Sequence, residues 1–332
     1  MKISYHAANN SIGTSVGYGY AGSNIIKSLT NLGHEVLYDD NKTEVQLNFC
    51  QPDYFKFNKN QYQIGYTPWE STEMKKSWVD KFNRCDEVWT TSDWCANVFQ
   101  DNGVKGDIKV FPHGIENVWK PNRRKTFEDR PLKFLHVGEP ALRKGGQSAV
   151  DAFIKYFAGD DRYSLTIKAH NFNTTRTYID SNKLSTPNYY NNIKIITEDL
   201  ELSQLVQLYQ SHHVLIYPGW GEGFGLIPFQ ALATGMPTIC TEGWAHYKEF
   251  LGPLKLKSTL TDESIPNVIK NIHIGKMFKP SQEDLEAKML FVAENFKVLS
   301  GYYYAQSTKI HEQYNWDQLT NNAFNHIFKK FS

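Results

Sequence analysis

A chain of 332 residues suits two compact domains better than one. A formal charge of +1 excludes a strong global pull toward nucleic acid or anionic membrane, leaving only a local basic patch open. There is no run of about 18 apolar residues to span a bilayer and no cleavable signal at Met1-Lys2-Ile3. The four cysteines (Cys50, Cys85, Cys95, Cys240) lack zinc spacing, so a reduced, cytoplasmic setting is expected.

The first half alternates strand and helix. Lys2–His6 reads as a strand, followed by a polar loop (Ala7–Val16), a helix over Ala21–Leu32 stopped by Gly33, and a strand at Glu35–Tyr38. Further strands are expected at Val45–Phe49, Gln63–Tyr66, Glu87–Thr90 and Ile108–Phe111. Helices fit between them at Lys75–Arg84 and Trp94–Asp101, the latter capped by Ser92. Pro112–Pro131, rich in proline and charge, reads as an interdomain linker. A second series follows, with strands at Lys133–Val137, Ser164–Ala169, Ile193–Ile196, Val214–Tyr217 and Thr238–Cys240. Its helices are Gln147–Phe157, Leu202–Ser211 and Phe229–Ala233. From Gly301 to Ser332 the chain is helical and amphipathic, with Tyr304, Ile310, Trp316, Leu319, Phe324 and Ile327 as expected buried positions. This alternation predicts an α/β protein with two doubly wound parallel sheets. Their ligands bind outside the carboxyl ends of strands, in a cleft between the sheets.

The most informative run is Trp220-Gly221-Glu222-Gly223-Phe224-Gly225-Leu226, between a buried strand and a helix. Its glycines let backbone approach a ligand, and the helix that follows aims unpaired N–H groups at it, which suits a phosphate. Glu222 is the one charge on the turn, placed to hydrogen-bond a sugar hydroxyl. Arg143 and Lys144 lie between another strand and helix. Adjacent cations at a helix N-terminus oppose its dipole. A bound diphosphate would offset that repulsion; the plainer reading is a solvated basic turn.

Gly17-Tyr18-Gly19-Tyr20-Ala21-Gly22 spells a dinucleotide fingerprint, with Asp39 and Asp40 downstream. The glycines should directly follow the first strand, however, and Ala7–Val16 intervenes. A glycine-eased helix start, or a loop reaching a donor phosphate, fits better. Tyr66-Thr67-Pro68-Trp69-Glu70 ends a strand, either as an aromatic wall for a sugar or base or as local packing. His113 reads as a hinge turn more readily than as a base. His212 and His213 end a helix, while His170 and His246 have no assigned role. No metal-ligand cluster stands out.

Together these segments resemble the family-four retaining glycosyltransferases, which share the GT-B architecture of two facing Rossmann-like domains. Glu222-Gly223-Phe224-Gly225-Leu226, with Ala231, Ala233, Gly235 and Pro237, looks like that family's E-x7-E segment. Arg143-Lys144-Gly145 is similar to its phosphate-binding turn, and Gly17 and Gly19 to its N-terminal glycine loop. The resemblance implies an acceptor-side domain over 1–115, a linker over 116–131 and a donor domain over 132–304. A final helix over 305–332 would cross back to the first domain. It further implies a hexosyl- or pentosyltransferase that moves a sugar from a nucleotide-diphosphate donor to an acceptor hydroxyl with retention. The leaving diphosphate would take the acceptor's proton, with no metal or other cofactor. Glu222, Arg143 and Lys144 would be catalytic. Gly17, Gly19, Gly223, Phe224, Gly225, Leu226 and Gln230 would bind the donor, and Trp69 and Glu70 would lie on the acceptor side.

Three departures from the family stand out. Gln230 replaces the second glutamate, which weakens or alters the ribose contact. Glu139 stands where many relatives carry arginine. Trp69-Glu70 stands where some have a histidine, leaving no obvious general base. The acceptor is expected to be a glycan, lipid or protein in surface-polysaccharide assembly, or a modified (hydroxymethyl) base in viral DNA. Lys75, Lys76, Lys81 and Arg84, or Arg123-Arg124-Lys125, could track a DNA backbone, although such runs are more often a solvated face. Other classes remain: an NAD-dependent oxidoreductase, or a non-catalytic nucleotide-sugar-binding relative. Oligomeric state stays open.

Overall fold

Parallel strands cannot be joined by tight turns, so each pair needs a crossover, and helices then cover the sheet. The computed structural model of this chain, which describes residues 1–8, 17–122, 131–138, 141–169, 191–262 and 273–331, is built on that rule twice. One unit comprises Met1–Glu116, Asn271–Gly275 and Gln313–Ser332; the other comprises Asn117–Lys270 and Lys276–Glu312. Among the described residues, no helix is long and apolar enough to cross a membrane. All four cysteines are free thiols. Glu139, His170, Arg123-Arg124-Lys125 and most of the loop before Gly17 lie outside the described residues.

The first unit runs β1 (Lys2–His6), α1 (Gly17–Asn31), β2 (Glu35–Tyr38), β3 (Val45–Phe49), β4 (Tyr62–Tyr66), α2 (Lys76–Phe82), β5 (Glu87–Thr90), α3 (Asp93–Asp101) and β6 (Ile108–Val110). Its sheet is parallel throughout, in the order β2-β1-β3-β4-β5-β6. The order reverses between β1 and β3, so β3 is central and all five of its residues are buried. Ser92 caps α3, its hydroxyl accepting from the Cys95 amide at 3.2 Å.

Helix α1 begins at Gly17, four residues ahead of the expected Ala21, so Gly17 and Gly19 occupy its first turn and not a loop. Tertiary contact overrides glycine's poor helix propensity here. Tyr20 is buried, and its hydroxyl donates to Glu116, which also accepts from Asn24 at 3.0 Å.

The second unit continues with β7 (Leu132–Val137), α4 (Gly146–Phe157), β8 (Tyr163–Lys168), β9 (Ile193–Ile196), α5 (Leu202–Ser211), β10 (Val214–Tyr217), α6 (Leu226–Ala233), β11 (Thr238–Thr241) and β12 (Lys255–Leu256). The antiparallel pair β13 (Ser258–Thr261) and β14 (Met277–Pro280) follows, then the long α7 (Gln282–Gln313). The main sheet is parallel in the order β12-β11-β10-β7-β8-β9. Counted from β7 this is the doubly wound 3-2-1-4-5-6 order, with its switch point between β7 and β10.

A final helix, α8 (Trp316–Lys330), belongs to the first unit. Trp316, Phe324 and Ile327 enter the same core as Ile25, Leu47 and Trp89, with the Phe324 ring edge-on to Trp89 at 4.8 Å. Two expected core positions need correction. Tyr304 is 38% exposed, and Tyr303 is buried in its place. Tyr303 shares a helical face with Phe296, Leu299 and Ile310, whereas Tyr304 is rotated about 100° off that face. Leu319 is only partly buried.

Candidate active site

The strands flanking the second unit's switch point are followed by the two turns singled out in the sequence: Arg143-Lys144 after β7 and Glu222 after β10. Ligands of open α/β sheets bind at this place. Gly145 has φ +75°, and a Cβ there would collide with the Pro218 carbonyl oxygen, so only glycine lets the turns close on each other. The Trp220 amide donates to the Arg143 carbonyl at 2.7 Å, and Arg143 Nη1 donates to the Gly221 carbonyl at 2.5 Å. Two buried aromatics pin the same loop: Trp244 Nε1 donates to Gly219 O at 2.9 Å and Tyr247 Oη to Gly225 O at 2.6 Å. Phe224 is buried edge-on against Phe229 and Tyr247.

Three donors converge on one oxygen, Glu222 Oε1: Lys144 Nζ at 2.6 Å, Arg143 Nη1 at 3.2 Å and the Tyr217 hydroxyl at 2.6 Å. The side chains of Glu222, Arg143 and Lys144 are 11%, 16% and 13% exposed, so the cluster is mostly withdrawn from water. Burial alone pushes the Glu222 carboxyl up. The charges of Lys144 and Arg143, with hydrogen bonds from Lys144 and Tyr217, outweigh it and leave the group at about 2. Burial and the Glu222 charge push the Tyr217 phenol up, so it remains a donor. Among the described residues, two cations meet one carboxylate here, a surplus of positive charge.

That surplus lies beside the starts of α4 and α6, whose N-caps are Gly145 and Gly225, with no side chain capping either helix. Both helices therefore turn the positive ends of their dipoles on the cluster. Pro228, third in α6, has no N–H, so that first turn offers the amides of Leu226 and Ile227. Gln230 is buried on α6, eight residues after Glu222. The arrangement can hold a doubly charged anion and stabilise charge developing on it.

His136, in β7, is fully buried with Nδ1 2.9 Å from the Ile216 carbonyl. Burial pushes its imidazole down to about 4; the Ile216 hydrogen bond opposes this and the Lys144 charge adds to it. The folded value is depressed, so the stabilisation is whole above the unfolded value of 6.5 and is lost as pH falls toward 4. Each pH unit in that window removes about 1.4 kcal/mol through this group. Urea midpoints measured between pH 7 and 4.5 should fall less steeply for His136→Gln than for the parent. Equal slopes would contradict the assignment.

In the first unit Trp69 is 2% exposed and packed edge-on against Trp78 at 4.9 Å, so its ring is a packing element and not an open wall. Glu70 Oε2 lies 3.2 Å from His273 Nε2, a residue the sequence reading did not single out. Gly17 is exposed and Gly19 buried at the start of α1. His113 is buried in the core, its imidazole pushed down to about 3 by burial, which removes it as a base near neutral pH. Asp39, the acid a dinucleotide ribose would need, is committed to His6 at 2.6 Å and Lys56 at 2.9 Å. Lys75 lies 3.5 Å from the Asp53 carboxylate, and Lys81 donates to the Asp53 carbonyl at 2.7 Å. Arg84 covers the Phe57 ring. Among the described residues, no three His, Cys, Asp or Glu side chains are grouped to hold a metal ion.

Solved structures share this fold along the whole chain. Sucrose-phosphate synthase from Thermosynechococcus elongatus superposes with a TM-score of 0.71 at 12% identity, over 99% of both chains. HepE from Anabaena gives 0.70 at 11%, over 99% of this chain and 100% of its own. A glycosyltransferase from Rickettsia africae gives 0.68 at 14%, over 99% and 97%. No curated protein matches by sequence. The fold is that of the GT-B glycosyltransferases. The model of family 4 glycosyltransferases in conflict systems matches residues 92–260, just over half of the chain, and the chain belongs to that family. It is a glycosyltransferase.

Proposed function

We propose that the enzyme transfers a sugar from a nucleoside diphosphate donor to an acceptor hydroxyl with retention, without a metal ion. The observation that carries this reading is the convergence of Arg143, Lys144 and Tyr217 on Glu222 beside two uncapped helix N-termini. The cations and amides would take the diphosphate, in the role a metal fills elsewhere. Glu222 would orient the sugar, with Gly223, Phe224, Gly225 and Leu226 shaping the turn beneath it, and Gln230 would reach the ribose. HepE was solved with UDP and glucose, which makes UDP-sugars the first donors to try. The departing phosphate oxygen would take the acceptor's proton as the new C1–O bond forms on the face the leaving group vacates. Positioning and charge stabilisation then do most of the catalysis. A glycan or lipid acceptor is favoured over DNA, because Asp53 already pairs with Lys75 and binds Lys81 through its carbonyl.

UDP is expected to raise the melting temperature, with or without EDTA, and UDP-sugar turnover should survive chelation with retention in the product. Absence of any nucleotide-dependent shift across UDP, GDP and ADP would remove the reading. EDTA-abolished turnover would remove its metal independence.

A further inference from the structure

We propose that His273 is an acceptor-binding residue, whose Nδ1 accepts a hydrogen bond from a non-reacting hydroxyl of a sugar-like acceptor. This rests on the glycosyl-transfer reading and names a binding group and a substrate class on its acceptor side. His273 lies on the connection between β13 and β14, where the chain leaves the second unit to join the first. Ile274 forms a bridge with Glu73, and Gly275, at φ +80°, fits where a Cβ would come within 2.6 Å of Thr72 Oγ1. The backbone is thereby keyed onto the segment after β4, at the carboxyl edge of the sheet, where ligands of this fold class bind.

The imidazole is held on two sides. Its face stacks on Trp69, with centroids 5.4 Å apart and planes at 30°, and its Nε2 is 3.2 Å from Glu70 Oε2. Trp69 is itself fixed, donating from Nε1 to the Glu73 carbonyl at 3.0 Å and packing against Trp78. A carboxylate only accepts, so Nε2 must carry the proton of that hydrogen bond, and in the neutral ring Nδ1 keeps its lone pair. Among the described residues no hydrogen bond engages Nδ1, and the side chain retains 14% exposure. A fixed lone pair suits a hydroxyl donor. The negative charge of Glu70, 3.2 Å from Nε2, opposes a phosphate backbone and favours a polyhydroxylated acceptor over nucleic acid.

The test uses the full chain with 15N-labelled histidine, saturated with UDP, and methyl α-glucopyranoside as the hydroxyl probe. His273, assigned by difference with His273→Phe, should show the Nε2-protonated neutral tautomer, and its Nδ1 resonance should move on adding the glucoside. It should not move with a short DNA duplex. His273→Phe keeps a ring on Trp69 but has no acceptor atom. It should raise the KM for the glucoside about tenfold, the worth of one neutral hydrogen bond, with His273→Gln intermediate. Donor hydrolysis by water and the UDP thermal shift should be unchanged in both. An Nδ1-protonated ring, no response to the glucoside, a response to DNA, or an unaltered KM would each overturn the proposal. Failure of the parent protein to respond to any nucleotide would instead remove the glycosyl-transfer reading.

Discussion

Lys144→Ala is expected to lower turnover of the nucleotide-sugar by about 100- to 1000-fold, the 2.7–4 kcal/mol typical of removing one donor to a developing oxyanion. Lys144 Nζ sits 2.6 Å from Glu222 Oε1, with its side chain 13% exposed, so its charge acts through little intervening water. Negative charge on the diphosphate grows as its bond to the sugar breaks. The interaction is therefore stronger in the transition state than in the bound donor, and the loss should fall on kcat more than on KM. The fold should tolerate the change, because Arg143 and Tyr217 still hold Glu222. Lys144→Arg should recover part of the rate, since it restores charge but not the compact ammonium. Near-normal turnover in the alanine variant would mean that Lys144 is a structural partner of Glu222 and nothing more.

Glu222→Ala should produce the opposite pairing of effects. Arg143 and Lys144 would lose the Glu222 carboxylate they share while remaining 16% and 13% exposed. Breaking a buried pair from one side costs about 3–5 kcal/mol, and residual water contact puts this case near 3. Denaturant titration of the apo protein should show that loss. UDP supplies a diphosphate where the missing carboxylate stood, so it should raise the variant's melting temperature by more than it raises the parent's. Sugar transfer should nonetheless be lost, because the carboxylate proposed to orient the sugar is gone. A variant as stable as the parent, or one gaining less from UDP, would contradict this account of the cluster.

The elements legible in the sequence are those whose signal is local. Val214-Leu215-Ile216-Tyr217 is buried on both faces and reads as an unbroken apolar run, and the following turn announces itself through Gly221, Gly223 and Gly225. The proximity of Arg143 to Glu222 follows once both turns are placed at carboxyl ends of neighbouring parallel strands. Partners whose role leaves no local pattern stayed hidden. Tyr217 reads only as the last apolar residue of its strand, yet its hydroxyl completes the grip on Glu222. Trp244 and Tyr247 each tie down a glycine carbonyl 25 and 22 residues earlier in the chain, outside any local pattern. His273 meets Glu70 across 203 positions of sequence, which no periodicity can reveal. The pair β13 and β14 is short and only partly buried, so it carries little hydrophobic pattern.

The placement of α8 bears on how the protein must be made. Its Phe324 and Ile327 roof a sheet encoded more than two hundred residues earlier, and the whole second unit is translated in between. A ribosome would therefore hold the first sheet half-covered for most of elongation, with the Trp89 and Phe111 side exposed. Apolar surface left waiting in this way invites association with other chains or with chaperones. Expression of residues 1–116 by themselves should yield an aggregating fragment and not a domain.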